Sequence, residues 1–336
     1  GSSYADEGTA AHYLAAWCLS SGGHPEDRRG EYIRVGIDGE SIFVLTKPSD
    51  HPSAFEVGDE MIRHVGRYVA AVRQQAEGGV LLVEQKVPID TYTFEEGATG
   101  SADTIVVTRD GELQIHDLKY GMGERVEAEE NGQLSLYALG AIEELELAYD
   151  FNHARLFIHQ PRIGSGEPSE WGVTLAELAA FGEEVKTAST WVRAAIENKD
   201  GVGFAERYLA AGEDQCRWCR VKATCPALSK FVVETVGAQF EDLDGVKEAV
   251  STLDQGTPEE LATKLAAAPL IEQWLKAVRA KVESELLAGN TVPGYKLVRG
   301  RMGNRQWNDP TEAEALLKSM RLKTEEMYDL KLISPT

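Results

Sequence analysis

The sequence predicts an α/β fold with a central mixed β-sheet flanked by helices. Runs of β-branched and apolar residues, which are typical of strands, alternate along the chain with segments of helical spacing. Between two of these runs stands Asp110-Gly111, a strong signal for the tight turn of a β-hairpin. Near residue 230 the pattern changes to Ala, Leu, Glu and Lys at helical spacing. We therefore expect one domain over residues 1–230 and a mainly helical appendage with a short β segment over residues 231–336.

Glycine and proline set the bounds of the predicted elements. An Ala-rich and Leu-rich helical segment stops at Gly22-Gly23, and a second helical segment stops at Gly78-Gly79. Pro293-Gly294 separates the last long helix from a short strand. Helices are predicted over residues 8–20, 61–75, 130–147, 175–198 and 257–287, and strands over residues 80–89, 104–108, 113–118, 153–159 and 295–299.

Composition excludes several classes of protein. The chain has 336 residues, of which 43% are hydrophobic, enough to bury a full core. No apolar run reaches the roughly 18 residues that are needed to cross a bilayer. The start of the chain lacks the charged-then-apolar pattern of a secretory signal. We therefore expect a cytoplasmic protein with no membrane partner.

Charge restricts how the chain can bind nucleic acid. The formal net charge is −21, and Lys and Arg normally supply most of the nonspecific affinity for phosphate. Any contact with DNA must then be local. Two groups of basic residues are candidates for it, and solvated surface charge is the other interpretation of both. They are Arg217, Arg220 and Lys222, and Lys296, Arg299, Arg301 and Arg305.

Two carboxylates and a lysine are predicted to converge where the hairpin strands end. Side chains alternate along a strand, so Asp117 and Lys119 project from the same face. Mg²⁺ prefers oxygen ligands, which Asp103, Asp117 and the backbone carbonyl of Leu118 can supply. Lys119 would position the nucleophile and offset the charge that grows in the transition state. The alternative for an Asp-x-Lys pattern alone is a charged pair at the end of a surface strand.

Together with other segments, these residues resemble the RecB-like branch of the PD-(D/E)XK nuclease superfamily over residues 8–226. Residues 8–12, Gly-Thr-Ala-Ala-His, resemble the helical Gly-x-x-x-His element of that branch. The resemblance implies a restriction-endonuclease-like core and assigns family roles to matching positions. These are His12 in the metal shell, Glu84 on the first core strand, the motif aspartate Asp103, the acid and lysine Asp117 and Lys119, and the Gln-x-x-x-Tyr residues Gln133 and Tyr137 on a helix over the site.

Three phrases narrow the resemblance to an exonuclease-like family found mostly in phages and prophages. They are residues 4–12, residues 126–134 and residues 293–298, so this match extends into the C-terminal hundred residues. The resemblance implies a DNA exonuclease that depends on Mg²⁺ or Mn²⁺. It implies a role in phage recombination or replication inside a bacterial host cell, with a phage recombination or replication protein as a candidate partner.

Three cysteines lie within ten residues, in the pattern Cys216-x-x-Cys219 followed by Cys225-Pro226. A two-residue gap lets consecutive thiolates bind one metal centre. A disulfide is disfavoured in a cytosolic chain, which leaves zinc or an iron-sulfur cluster. The spacing alone does not choose between these two.

The family resemblance favours a [4Fe-4S] cluster at these cysteines, with a fourth ligand far upstream. In the family that cysteine usually precedes the Gly-x-x-x-His element, whereas Cys18 follows His12 by six residues. Cys18 is therefore a candidate fourth ligand or a buried thiol. A native chain that extends before Gly1 would offer a further position for the fourth ligand.

Two alternatives to the iron-sulfur nuclease stay open at this point. The strong acidity is compatible with a metal-stapled DNA-binding or scaffold protein whose core has lost catalysis. The same fold could also carry zinc at the cysteines in place of iron and sulfur.

Overall fold

The computed structural model describes residues 3–36, 40–46, 53–236, 258–298 and 309–328. Within these ranges the helices are α1 (Ser3–Ser21), α2 (Asp59–Gln75), α3 (Asp90–Thr93), α4 (Gly132–Leu145), α5 (Leu175–Glu197), α6 (Phe204–Tyr208), α7 (Glu213–Arg217), α8 (Pro226–Val236), α9 (Pro258–Leu287), α10 (Pro310–Ser319) and α11 (Thr324–Met327), with a short 3-10 helix at Pro25–Arg28. The strands are β1 (Tyr32–Val35), β2 (Ser41–Val44), β3 (Ala54–Glu56), β4 (Val80–Pro88), β5 (Thr99–Val107), β6 (Glu112–Leu118), β7 (His153–His159) and β8 (Ser169–Thr174).

A five-stranded mixed sheet forms the centre of the N-terminal part, in the order β4-β5-β6-β7-β8. The predicted hairpin is confirmed, because β5 and β6 pair antiparallel around the Asp110-Gly111 turn. Only the β6–β7 pair is parallel, and helix α4 provides the crossover that a parallel connection requires. The C-terminal ends of β6 and β7 therefore lie side by side.

Helices cover both faces of this sheet, which confirms the predicted α/β class. On one face α1 and α2 pack against Val106 and Leu118 in one apolar cluster. On the other face α4 and α5 pack against Ile105, Ile115 and Ile158 in a second cluster. The alternation of neighbouring residues such as Ile105 and Val106 between the two clusters follows from the period of two along a strand.

Helix α4 lies very close to the sheet because a glycine faces it. A Cβ atom at Gly140 would stand 2.2 Å from the backbone oxygen of Pro88 on β4. At its other end, Asn131 caps the helix by accepting a hydrogen bond from the Leu134 N–H at 3.1 Å. The glycine sets the distance of α4 from strand β4, and the cap sets the residue at which the helix begins.

Several described elements differ from the predictions, among them β8, the edge strand of the five-stranded sheet, which was not predicted. A second, three-stranded sheet in the order β2-β1-β3 was not predicted, because its strands are only three or four residues long. The short strand predicted at residues 295–299 is wrong over residues 295–298, which form no strand. Tyr295 and Val298 are exposed there, and a lone extended segment has no neighbour to complete its hydrogen bonds. Arg299, Arg301 and Arg305 lie outside the described residues.

The chain divides into two units between Phe204 and Ala205. The cysteine segment thus belongs to the second unit, whereas the sequence placed the boundary at residue 230. In the second unit Cys216 packs with Leu228 and Val232 of α8 and with Leu270 of α9, and all four are buried. Apolar contacts therefore join the cysteine segment to the C-terminal helices.

Candidate metal centre

Asp103 connects three elements that are far apart in the sequence. Its Oδ1 lies 3.2 Å from Nδ1 of His12 on α1, and its Oδ2 accepts a hydrogen bond from the Leu118 N–H on β6 at 2.7 Å. Asp103 itself stands on β5. The carboxylate is thus held by one helix and one neighbouring strand, and its orientation is fixed from both sides.

Glu84 faces Asp103 across the β4–β5 pair. The register pairs Val83 with Thr104 and Gln85 with Ala102, which sets Glu84 opposite Asp103. The backbone of Glu84 has a φ of 51°, in the left-handed region that non-glycine residues rarely adopt. Such conformations cost roughly 1–3 kcal/mol and concentrate at functional sites. The strand is therefore strained at the point where this carboxylate reaches the site.

His12, Glu84 and Asp103 each offer one ligand atom, and these atoms all lie within 4.8 Å of one another. This set shares His12 and Asp103 with the expected metal shell of His12, Asp103, Asp117 and the carbonyl of Leu118, and it contains Glu84 in addition. Asp117 is outside the set, and Leu118 contacts Asp103 through its N–H. From the sequence, only the family resemblance places Glu84 near the site.

Asp117 is bound by the lysine two residues away. The Lys119 Nζ donates to Oδ1 of Asp117 at 3.1 Å and lies 2.9 Å from its Oδ2. Lys119 also donates to Oε1 of Gln133 at 3.2 Å, and Gln133 in turn donates to the Tyr137 hydroxyl at 2.9 Å. The Asp-x-Lys pair on β6 and the Gln-x-x-x-Tyr pair on α4 are thus brought together in one chain of polar contacts.

A glycine makes room for the last member of this chain. A Cβ atom at Gly100 on β5 would stand 2.3 Å from the ring of Tyr137. The ring therefore lies directly against the strand that carries Asp103. Any side chain at position 100 would push Tyr137, and with it Gln133, away from Lys119.

Negative charge accumulates at the site and shifts the pKa values of its groups. Burial raises the pKa of Asp117, and the neighbouring charge of Asp103 adds to the rise, while Lys119 opposes it. Burial and Asp103 also raise the pKa of Glu84. For His12, burial lowers the pKa, but the hydrogen bond to Asp103 and the nearby carboxylates outweigh this, so the pKa is raised. These carboxylates and the imidazole therefore hold protons to higher pH than usual when no cation neutralises the site.

A buried polar row lies beneath the site between the sheet and α2. Its members are Gln114, His116, His159, Tyr68 and Thr104. Nε2 of His116 lies 3.0 Å from Oε1 of Gln114, and Nδ1 of His116 lies 3.0 Å from Nε2 of His159. The edge of the Tyr68 ring packs against His159, and the Tyr68 hydroxyl lies 2.8 Å from the Thr104 hydroxyl. Burial lowers the pKa of His159 to about 4, so the row is neutral at ordinary pH.

Sequence reasoning missed Tyr68 and His159. His159 ends β7, and its backbone oxygen accepts a hydrogen bond from the Lys119 N–H at 2.8 Å. The parallel pairing of β7 with β6 brings it there, and a predicted β6-α4-β7 crossover was the available signal. For Tyr68 no local signal existed, because an aromatic residue on the apolar face of a helix reads as ordinary core.

The cysteines do not form a comparable group within the described residues. The three sulfur atoms of Cys216, Cys219 and Cys225 are not gathered within 4.8 Å of one another. Cys18 is fully buried in the apolar cluster of the first unit, and this burial raises the pKa of its thiol to about 11. Because metals and clusters bind thiolates, its surroundings favour a buried thiol over a ligand.

The whole chain, residues 1–336, matches the model of the family described as "Protein of unknown function (DUF2800)", and the chain belongs to that family. No solved structure matches the chain. Across the ranges that the structure describes, none of the helices combines the length and apolar character that spanning a membrane requires.

Proposed function

We propose that this member of the DUF2800 family is a DNA exonuclease that depends on Mg²⁺ or Mn²⁺ and has a restriction-endonuclease-like core of the RecB-like PD-(D/E)XK type. One observation carries the proposal. The ligand atoms of His12, Glu84 and Asp103 lie within 4.8 Å of one another, beside an Asp117–Lys119 pair held by Gln133. Acidic side chains can hold a divalent cation that polarises a phosphodiester and activates water, and a neighbouring lysine can offset the negative charge that develops there.

The donor atoms fit a hard divalent cation. Two carboxylates and an imidazole suit Mn²⁺ or Mg²⁺, and the raised pKa values of Glu84 and His12 indicate a site with more negative charge than it can neutralise alone. Oδ2 of Asp117 is buried and has no hydrogen bond beyond its ion pair with Lys119. His12, Glu84 and Asp103 would hold the cation, with Asp117 next to it. When bound, the cation would polarise the scissile phosphate and lower the pKa of water.

The chain's own residues supply the remaining functions. Lys119 is fixed between Asp117 and Gln133, so its ammonium group can contact the phosphate and offset the charge that develops there. Tyr137 holds Gln133 in place through its hydroxyl. The contact between Asp103 and the Leu118 N–H keeps the two acidic strands in register.

For the cysteine segment we propose a [4Fe-4S] cluster bound by Cys216, Cys219 and Cys225, with zinc as the alternative. Their spacing supports metal binding, and Cys216 packs into the apolar cluster of the second unit. A metal at this segment would stabilise the turn that connects α7 to α8. Hydrolysis needs no redox chemistry, so the role of the metal would be structural. The sequence resemblance supports a place in phage recombination or replication.

The test is hydrolysis of end-labelled linear DNA in Mn²⁺, with a closed circular DNA as the second substrate. We expect nucleotides to be released from the linear DNA and the circle to resist. Asp103→Asn keeps the size of the side chain but removes its charge, and we expect a loss of about 10²- to 10³-fold. Asp59→Asn is the matched control, because the Asp59 side chain is exposed and pairs only with Arg29 in the described contacts.

Two results would overturn the proposal. The first is full activity in Asp103→Asn when a mock purification from cells that lack the protein shows no cleavage. The second is tight DNA binding by the wild-type protein without any hydrolysis in Mn²⁺ or Mg²⁺. The second result would favour a DNA-binding or scaffold protein whose core does not hydrolyse DNA.

A further inference from the structure

The segment from residue 215 to residue 233 has the opposite charge to the rest of the chain. It contains Arg217, Arg220, Lys222 and Lys230 and no acidic residue, whereas the whole chain has 55 acidic and 34 basic residues. A polyanion that the overall charge repels would find its most favourable approach at such a segment. The reversal of charge is local, and it coincides with the turn between α7 and α8.

An aromatic ring stands exposed in the middle of this segment. Trp218 is 82% exposed, and its neighbour Val221 is 63% exposed. The Arg217 guanidinium lies 5.3 Å from the centroid of the Trp218 ring. Exposed tryptophan beside arginine is the combination that single-stranded nucleic-acid sites use, because a base stacks on the ring and the cations contact phosphate.

The turn that presents Trp218 is held by its own hydrogen bonds. The Cys219 N–H donates to the Cys216 oxygen at 3.2 Å, and the Lys222 Nζ donates to the Arg217 oxygen at 2.7 Å. The Thr224 N–H donates to the Val221 oxygen at 3.0 Å. The loop that carries the ring is therefore ordered before binding, and this order lowers the entropy cost of binding.

We propose that residues 217–222 form a binding surface for single-stranded DNA, with a base stacked on Trp218 and phosphates contacted by Arg217 and Arg220. The choice of DNA rests on the proposed nuclease function, while the binding itself does not depend on hydrolysis. A protein partner would favour a broader apolar patch with fewer cations. The surface would supply the local affinity for DNA that the rest of this acidic chain lacks.

The test is the affinity of the full chain for a fluorescein-labelled oligothymidylate, measured by anisotropy without added divalent cation so that the DNA stays intact. We expect Trp218→Ala to raise Kd by about tenfold or more, and Trp218→Phe to raise it less because a ring remains. Trp191→Ala is the matched control, since Trp191 is another exposed tryptophan, on α5, and Kd should stay within about twofold of wild type.

Salt dependence tests the role of the cations. The slope of log K against log salt is negative, and for single strands its magnitude falls by about 0.7 for each phosphate contact that is lost. We expect that change for Arg220→Gln and none for Arg193→Gln, an exposed arginine on α5. Circular dichroism and thermal melting of each variant establish that the fold is kept.

Separate outcomes overturn this inference and the nuclease proposal. Equal affinity of Trp218→Ala and wild type, an equal loss in Trp191→Ala, or the absence of wild-type binding would overturn the DNA surface. An Asp103→Asn protein that still binds the oligonucleotide through Trp218 but has lost cleavage supports both proposals. Binding that depends on Trp218 in a wild-type protein that cleaves nothing supports the surface and overturns the nuclease alone.

Discussion

The two regions that the sequence singled out for metal binding are built in opposite ways. At the candidate metal centre the ligands come from distant parts of the chain, since His12 and Asp103 are 91 positions apart, yet their atoms gather within 4.8 Å. The cysteines lie within ten residues, yet their sulfur atoms do not gather within that distance. Strand register and helix packing hold the first group, whereas short turns hold the second. Closeness in sequence is therefore a poor measure of preorganisation.

The largest expected effect lies at the lysine of the sheet. If the chain is the proposed nuclease, Lys119→Met should lower kcat about 10²- to 10³-fold, because the ammonium group that would contact the phosphate is lost. The change also leaves the buried Asp117 without its cation, so we expect a lower Tm above the raised pKa of that carboxyl. Single-turnover cleavage of linear DNA and thermal melting measure the two effects.

The control for this change is Lys86→Met, an exposed lysine on β4, which should keep kcat within about twofold. Cys225→Ser serves as the comparison from the other region and should leave the chemical step nearly unaffected once DNA is bound. If Lys119→Met cleaves as fast as Lys86→Met, Lys119 has no part in the reaction.

A divalent cation should stabilise the sheet region in a manner that depends on pH. The raised pKa values of Glu84 and His12 mean that both hold protons in the folded state to higher pH than in the unfolded state. Without a cation, their contribution to stability is present at low pH and is lost as pH rises through the folded pKa values. Cation binding requires the deprotonated forms, so its stabilisation should grow over the same window.

Thermal melts with and without Mn²⁺ from pH 4.5 to pH 8 measure the increment in the free energy of unfolding that the cation gives. At a concentration near 100 Kd it should approach about 2.7 kcal/mol at the alkaline end, and it should be nearly absent at the acidic end. Asp103→Asn should lose the increment at every pH. An increment that is independent of pH, or that survives in Asp103→Asn, would show that the cation binds elsewhere.

Two cysteine substitutions, one in each region, test which cysteines bind metal. Cys18→Ala should leave the metal content of the protein unchanged and cost about 1 kcal/mol, the effect of deleting one buried heavy atom. Cys225→Ser should reduce the iron, sulfide or zinc content of anaerobically purified protein. Absorption spectra and metal analysis check both. Loss of the metal in Cys18→Ala would restore this residue as the fourth ligand.

The smallest effect on stability concerns backbone strain at Glu84. Glu84→Gly relieves the left-handed conformation and the repulsion from Asp103, but glycine loses more backbone entropy on folding, so we expect a net gain of only about 0.5 kcal/mol in stability together with a loss of cleavage. Glu130→Gly is the matched control, because Glu130 is also an exposed glutamate with a positive φ, 53°. It should gain similar stability and keep its activity. A destabilised Glu84→Gly protein would contradict the assignment of strain.

Four of the five strands of the central sheet, all except β8, were predicted from the sequence, as was the convergence of the acidic residues with Lys119. The hairpin signal at Asp110-Gly111 and the period of two along β6 were enough to bring Asp103, Asp117 and Lys119 to one end of the sheet. Local patterns carry this information because register follows from turn geometry. The same reasoning predicted the helix that carries Gln133 and Tyr137.

Hairpin and strand patterns did not predict that Glu84, and not Asp117, would lie in the cluster of ligand atoms. This arrangement depends on a positive φ at Glu84, which no residue type in that segment signals, and on the ion pair by which Lys119 holds Asp117. Local patterns also do not signal the division into two units between Phe204 and Ala205. It depends on the packing of Cys216 against Leu270, 54 residues later, which local patterns do not report.

The buried polar row has a consequence for where its hydrogens sit. Oε1 of Gln114 can only accept, so Nε2 of His116 carries a hydrogen, its Nδ1 is bare, and Nε2 of His159 must carry the hydrogen between the two rings. Glu112 accepts from the Gln114 amide nitrogen and so fixes which way that amide points. The two acceptors of the Gln114 amide nitrogen, Glu112 and Oε1 of Gln75, thereby set the tautomer of both imidazoles, up to the strand end that holds Lys119.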